Sequence, residues 1–150
     1  MSESSVLMKR IVDNIGKVLV GKESASRLMV LALAASGHVL IEDVPGIGKT
    51  TLAFAMAKSV SLSFNRIQFT PDILPSDITG FSVFNPKTGE FDFRKGNIMS
   101  HVILADEINR TSPKTQASML EVMEERQVTV DGKTYKVPDP FMVIATQNPV

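Results

Sequence analysis

Met8, Ile11, Val12, Ile15 and Val18 recur at spacings of three and four, the one-sided stripe of an amphipathic helix, which they predict over 6–19. A turn at Val20, Gly21 and Lys22 ends it. A second helix, rich in Ala, Leu and Met, is predicted over 23–35, with Gly37 as its C-terminal glycine. The pattern then changes to a short apolar strand at 38–42, a glycine-punctuated loop and a helix over about 49–59. Residues 66–70 alternate as a strand, and Pro71, Pro75 and Gly80 leave room only for a short helix after it. Residues 81–84 and 90–93 flank a five-residue turn at 85–89, the pattern of a β-hairpin. Residues 101–105 are an apolar run of the kind a strand covered on both faces requires. Ser112 followed by Pro113 marks a helix start, and that helix should reach about residue 126. Asp131 and Gly132, set between 128–130 and 134–137, signal a second hairpin, and 141–145 is a last buried strand.

Strands alternating with helices predict an α/β fold with a mostly parallel sheet, in which ligands sit at the carboxyl ends of the strands. Composition narrows the function classes. With 150 residues the chain can build one core, burying roughly 70% of its unfolded surface. The 16 basic and 16 acidic residues balance, which removes any general attraction to nucleic acid or an anionic membrane, and the pairs Lys9-Arg10 and Arg94-Lys95 read as solvated surface. There is no cysteine, hence no disulfide framework, thiolate metal site or cysteine nucleophile. The first residues lack a basic stretch leading into an apolar one, and the longest apolar region, 28–41, is interrupted at Ser36, Gly37 and His38. A soluble, cytoplasmic protein without membrane insertion is the expectation.

The candidate chemistry lies at three strand ends. Asp43, Val44, Pro45, Gly46, Ile47, Gly48, Lys49, Thr50 and Thr51 follow an apolar strand and open a helix. Small glycines let successive backbone N–H groups converge on phosphates, Lys49 would reach the β and γ groups, and the Thr50 hydroxyl would ligate Mg²⁺. Asp43 stands where the strict phosphate-loop pattern begins with glycine. Asp106 and Glu107 end the second apolar strand. Asp106 suits the hydration shell of Mg²⁺, and Glu107 suits orienting and deprotonating an attacking water. Asn148, just past the last strand, can bond both a γ-phosphate and that water. His38 and His101 lack partners at ligand spacing and read as structural, and Met119, Leu120 and Met123 read as a core stripe.

These strings together resemble the AAA+ ATPases, and more narrowly the MoxR family, through residues 37–50, 68–80, 104–110 and 145–149. Aspartate at the loop's first position is also a MoxR-like variant. The resemblance implies a three-layer P-loop NTPase sandwich with two β-hairpin insertions, one in helix 2 and one before sensor 1, where related machines contact substrate or neighbouring subunits. It makes Lys49 and Thr50 the Walker A residues, Asp106 and Glu107 the Walker B pair, and Asn148 sensor 1. Val20 and Gly21 fall in the segment near the adenine, and Gln68 falls where a polar switch residue restrains the catalytic glutamate. It implies residues 1–36 as N-terminal helices and 37–150 as the nucleotide-binding core. The expected cofactors are ATP and Mg²⁺. The expected assembly is a homo-oligomer, a hexameric ring, acting on client proteins such as those with von Willebrand factor A domains. In the family's strand order, 5-1-4-3-2, the fifth strand, the helical lid with sensor 2 and the arginine finger are expected after residue 150. Strand 38–41 is then an apolar edge prone to self-association, and the chain should bind nucleotide better than it turns it over. Arg110 is given neither arginine role. The absence of an Asn-Lys-x-Asp string argues against a GTPase, and Asp-Glu-Ile-Asn-Arg argues against a kinase.

Overall fold

The computed structural model describes residues 2–42 and 48–147. Two helices lead the chain, α1 (Glu3–Gly16) and α2 (Glu23–Ala34). The Ser2 hydroxyl caps α1 by accepting from the Ser5 N–H at 3.3 Å, so the helix begins three residues earlier than its apolar stripe suggests. It also ends earlier, at Gly16, which leaves Val18 outside the stripe and 64% exposed. The end of α2 corrects the role expected of Gly37. Ser36 takes the left-handed conformation at φ 56°, its N–H donates to Leu33 O, and the Gly37 N–H reaches back to Ala32 O at 2.8 Å. These two bonds close a Schellman turn with serine at its left-handed position.

Four parallel strands form the central sheet: β1 (Val39–Glu42), β2 (Phe64–Gln68), β5 (Val102–Asp106) and β8 (Met142–Gln147), in the order β1-β8-β5-β2. Counting only these strands, that is 1-4-3-2, the neighbours that the family resemblance implies. Strands β5 and β8 are central and buried along nearly their whole length, which explains their unbroken apolar runs. Alternate residues divide the core in two. Val102, Leu104, Met142 and Ile144 face one cluster with α1, α2 and α3 (Lys49–Ser59). Ile103, Ala105, Val143 and Ala145 face the other, built on α4 (Pro75–Thr79) and α5 (Pro113–Glu125). Helices α1 and α2 therefore share a core with the sheet and α3.

Helix α5 starts as its Ser-Pro pair requires, with Ser112 Oγ accepting from the Thr115 N–H. It buries Thr115, Met119 and Val122 on one face. Leu120, expected in the core stripe, is instead 59% exposed, because that face turns it away from the second cluster. The hairpins are β3 (Gly80–Asn85) with β4 (Glu90–Lys95), and β6 (Gln127–Val130) with β7 (Lys133–Lys136). Asn85 pairs with Glu90, so the first turn is one residue shorter than expected, and the Asn85 side chain folds it by accepting from the Lys87 N–H. In the second, Asp131 and Gly132 both have positive φ, 49° and 75°, as a two-residue primed turn demands. Phe93 and Tyr135 stack between the hairpins at 3.8 Å. The histidines are structural, as read: the His38 ring joins the Met123 carbonyl to the Val143 N–H, and His101 Nδ1 meets Ser63 Oγ at 2.7 Å. No helix among the described residues is long and apolar enough to cross a membrane.

Candidate active site

The parallel register sets Ile41 opposite Thr146 and Gln68 opposite Asp106 in one row at the carboxyl ends of the four strands, with Glu42 opposite Gln147 one residue further out. The Gln147 amide donates to Glu42. Helix α3 opens beside this row. Its cap is Gly48, held at φ 70°, which brings no side chain to the helix N-terminus. A Cβ at Gly48 would lie 3.2 Å from Leu19 Cδ2, so the turn between α1 and α2 packs directly on the start of α3. Val20 and Gly21 belong to that turn, Val20 91% exposed and Gly21 at φ 82°. Lys49, Thr50 and Thr51 form the first turn of α3. Asp43, Pro45, Gly46, Ile47 and Asn148 lie outside the described residues.

Asp106 is gripped from two sides. The Thr146 hydroxyl donates to its Oδ1 at 2.6 Å, and Arg66 Nη2 pairs with its Oδ2 at 2.5 Å. Burial pushes the carboxyl up, but the Thr146 bond, the Arg66 guanidinium and the field of Lys49 together outweigh it and hold Asp106 below the usual aspartate range. The Lys49 field ties the start of α3 to the end of β5, the two places where the sequence puts phosphate and metal chemistry.

Glu107 follows in the left-handed region at φ 56° and ψ 47°, a conformation that costs a non-glycine residue about 1–2 kcal/mol. It persists because the surroundings hold it. The Glu107 N–H donates to Thr146 Oγ1 at 2.9 Å, and its Oε2 accepts from Gln68 Nε2 at 3.1 Å and from Arg110 Nη1 at 2.8 Å. Arg110 belongs to the single 3₁₀ turn Ile108–Arg110 that begins there. Gln68 therefore touches the carboxylate it was expected to restrain.

Three residues of this network carry no role in the sequence reading: Arg66, Arg110 and Thr146. Arg66 had a findable signal, because Arg66 and Gln68 alternate with Ile67 and Phe69 and so share the polar face of β2. Thr146 is a hydroxyl beside Ala145 in a buried apolar strand, and it too marks a polar partner.

Among the described residues no three His, Cys, Asp or Glu side chains converge as a metal cage. One ionised carboxylate and one helix-end hydroxyl suit Mg²⁺, which keeps most of its waters and takes the rest of its ligands from phosphate. Asp106, fixed by Thr146, meets the carboxylate half of that requirement, and Thr50 stands in the first turn of α3.

Residues 38–150 match the ATPase family associated with various cellular activities (AAA). The chain is 59% identical to the Bacillus subtilis protein YeaC over 96% of its own length and 45% of YeaC. It is 42% identical to the Mycobacterium tuberculosis chaperone MoxR1, over 95% of this chain and 38% of that protein. Identity to protein MoxR of Methylorubrum extorquens is 32%, over 94% of this chain and 42% of that one. A Cytophaga hutchinsonii crystal structure superposes with a TM-score of 0.85 at 45% identity, covering 96% of this chain and 44% of that one. The chain thus spans less than half the length of these relatives. With the strand order and the Asp106–Glu107 strand end matching what residues 37–50, 68–80, 104–110 and 145–149 suggested, the chain belongs to the MoxR family of AAA+ ATPases.

Proposed function

We propose that this protein binds ATP with Mg²⁺ at the carboxyl edge of its sheet and hydrolyses it, in a chaperone-like ATPase that remodels or matures partner proteins. The observation that carries the reading is the Asp106–Glu107 strand end, where the Thr146 hydroxyl bonds both residues and Gln68 reaches the Glu107 carboxylate. Gly48, Lys49, Thr50 and Thr51, with Pro45, Gly46 and Ile47, would hold the phosphates, and Val20 with Gly21 would border the adenine. Thr50 and Asp106 would hold Mg²⁺, which when bound neutralises phosphate charge. Glu107 takes the proton of the attacking water and Asn148 positions that water. Residues 1–36 serve as leading helices to a nucleotide core at 37–150. The working assembly is a cytoplasmic homo-oligomer, a hexameric ring, and its clients include proteins with von Willebrand factor A domains.

A second reading, nucleotide binding without hydrolysis, is favoured by the double hold of Gln68 and Arg110 on Glu107 Oε2. Steady-state turnover with ATP and Mg²⁺ separates the two. Activity that climbs steeply with protein concentration supports an assembled ATPase, and tight binding with flat, negligible turnover supports the second reading. Lys49→Ala should weaken ATP binding by about 10–100-fold, the worth of a hydrogen bond to a charged group. Glu107→Gln should keep affinity and lower turnover by about 10²–10⁴-fold. Unchanged ATP affinity in Lys49→Ala by calorimetry defeats the nucleotide reading itself.

A further inference from the structure

We propose that Arg66 is the cation that occupies the Asp106 carboxylate before a divalent metal does, and that through Gln68 it ties the placement of Glu107 to whether that metal is present. The proposal rests on the nucleotide-binding reading above.

A single guanidinium nitrogen, Arg66 Nη2, serves two acceptors: Asp106 Oδ2 at 2.5 Å and Gln68 Oε1 at 3.0 Å. An amide whose oxygen accepts from Arg66 must turn its nitrogen the other way, and Gln68 Nε2 donates to Glu107 Oε2 at 3.1 Å. Flipping that amide would set Nε2 against the guanidinium and Oε1 against the carboxylate, two repulsions in place of two bonds. Arg66 therefore fixes which end of Gln68 meets Glu107. The chain of contacts runs unbroken from Asp106 through Arg66 and Gln68 to Glu107.

The two oxygens of Asp106 are held differently. Oδ1 is bonded by Thr146, a buried residue that cannot move far, so the carboxylate keeps its place if Arg66 departs. Oδ2 is bonded by Arg66, whose side chain is 47% exposed and has solvent to swing into. A divalent cation at Asp106 and a guanidinium on Oδ2 repel each other, so occupancy by one disfavours the other. When Arg66 leaves, Gln68 loses the partner that orients it, and its hold on Glu107 loosens. Arg66 is a positioning residue in this scheme.

The test is a calorimetric titration of Mg²⁺ into protein saturated with an ATP analogue whose β–γ bridge cannot be cleaved. Removing a competing, partly exposed ion pair should tighten Mg²⁺ binding by about fivefold in Arg66→Ala. Arg66→Gln, which keeps a donor but not the charge, should fall between wild type and Arg66→Ala. A residue that merely supports the fold would lower metal affinity on removal, so equal or weaker Mg²⁺ binding in Arg66→Ala overturns the proposal. A crystal structure of the wild type with Mg²⁺ and the analogue gives a readout independent of any variant's folding. Arg66 should be displaced from Asp106, and Arg66 still bonded to Asp106 beside bound Mg²⁺ would overturn the idea. Failure of the wild type to bind the analogue refutes the nucleotide reading and this inference with it, whereas binding without the gain in Arg66→Ala refutes this inference alone.

Discussion

Thr146→Val tests whether one buried hydroxyl holds the two acidic residues of the site together. The substitution keeps shape and volume but removes a donor to Asp106 Oδ1 at 2.6 Å and an acceptor for the Glu107 N–H at 2.9 Å. A hydrogen bond to a charged group contributes about 1.5–3 kcal/mol, and orphaning a shielded N–H costs about 1 kcal/mol or more. The expected loss is about 2–4 kcal/mol near neutral pH, or about 5–15 °C in Tm for a domain of this size. Urea unfolding followed by circular dichroism measures it, with the midpoint moving and the slope unchanged. The sign of the pH dependence is fixed as well. Asp106 titrates below the ordinary aspartate range in the fold, so its contribution is fully present above that range and is lost as pH falls through the folded value. The gap between wild type and Thr146→Val should therefore shrink on acidification below about pH 4. Thr146→Ser, which retains the hydroxyl, should cost only about 1 kcal/mol for its lost methyl. A Thr146→Val loss under about 0.5 kcal/mol, within the range of a neutral surface change, would refute the reasoning.

Two further predictions concern stability away from the strand ends. His38 accepts from the Val143 N–H and donates to the Met123 carbonyl, so the folded ring is neutral; burial lowers its pKa below 6.5, the Met123 bond opposes this, and Arg126 adds to the lowering. The unfolded chain then binds the extra proton first, so stability is full above about pH 6.5 and falls with pH down to the folded value; unfolding midpoints at pH 7.5 and 5.0 should differ in the wild type and differ less in His38→Gln. At Gly96 a Cβ would lie 2.1 Å from the Ile78 carbonyl oxygen and 2.4 Å from the Gly80 nitrogen, both backbone atoms, so Gly96→Ala should cost about 3 kcal/mol; a urea midpoint equal to wild type would contradict that packing.

The parts of the fold that could be read from the chain are those in which neighbouring residues determine the outcome. Asp131-Gly132 must turn with positive φ, Ser112-Pro113 must start a helix, and 102–105 can only be a doubly buried strand. Element ends were less legible, because a single local bond moves them. Ser2 extends α1 backwards, and Ser36 takes the left-handed place that a glycine one residue later was expected to fill.

The candidate site divides along the same line, and the reason is parity in a parallel sheet. Glu107 and Asp106 are adjacent in sequence and announce themselves. Arg66, Gln68 and Thr146 reach them only because β2 and β8 flank β5 in a particular register, Gln68 opposite Asp106 and Ala145 opposite Ala105. Even-numbered residues of β5 and β8 face α3, odd-numbered ones face α5, so Asp106 and Thr146 emerge on the side where Lys49 stands. A slip of β2 by one residue would carry Arg66 and Gln68 to the α5 side and bring Ile67 into the site. The buried Ile67 and Phe69 forbid that slip, so the same apolar contacts that hold the sheet in register also fix which cation meets Asp106.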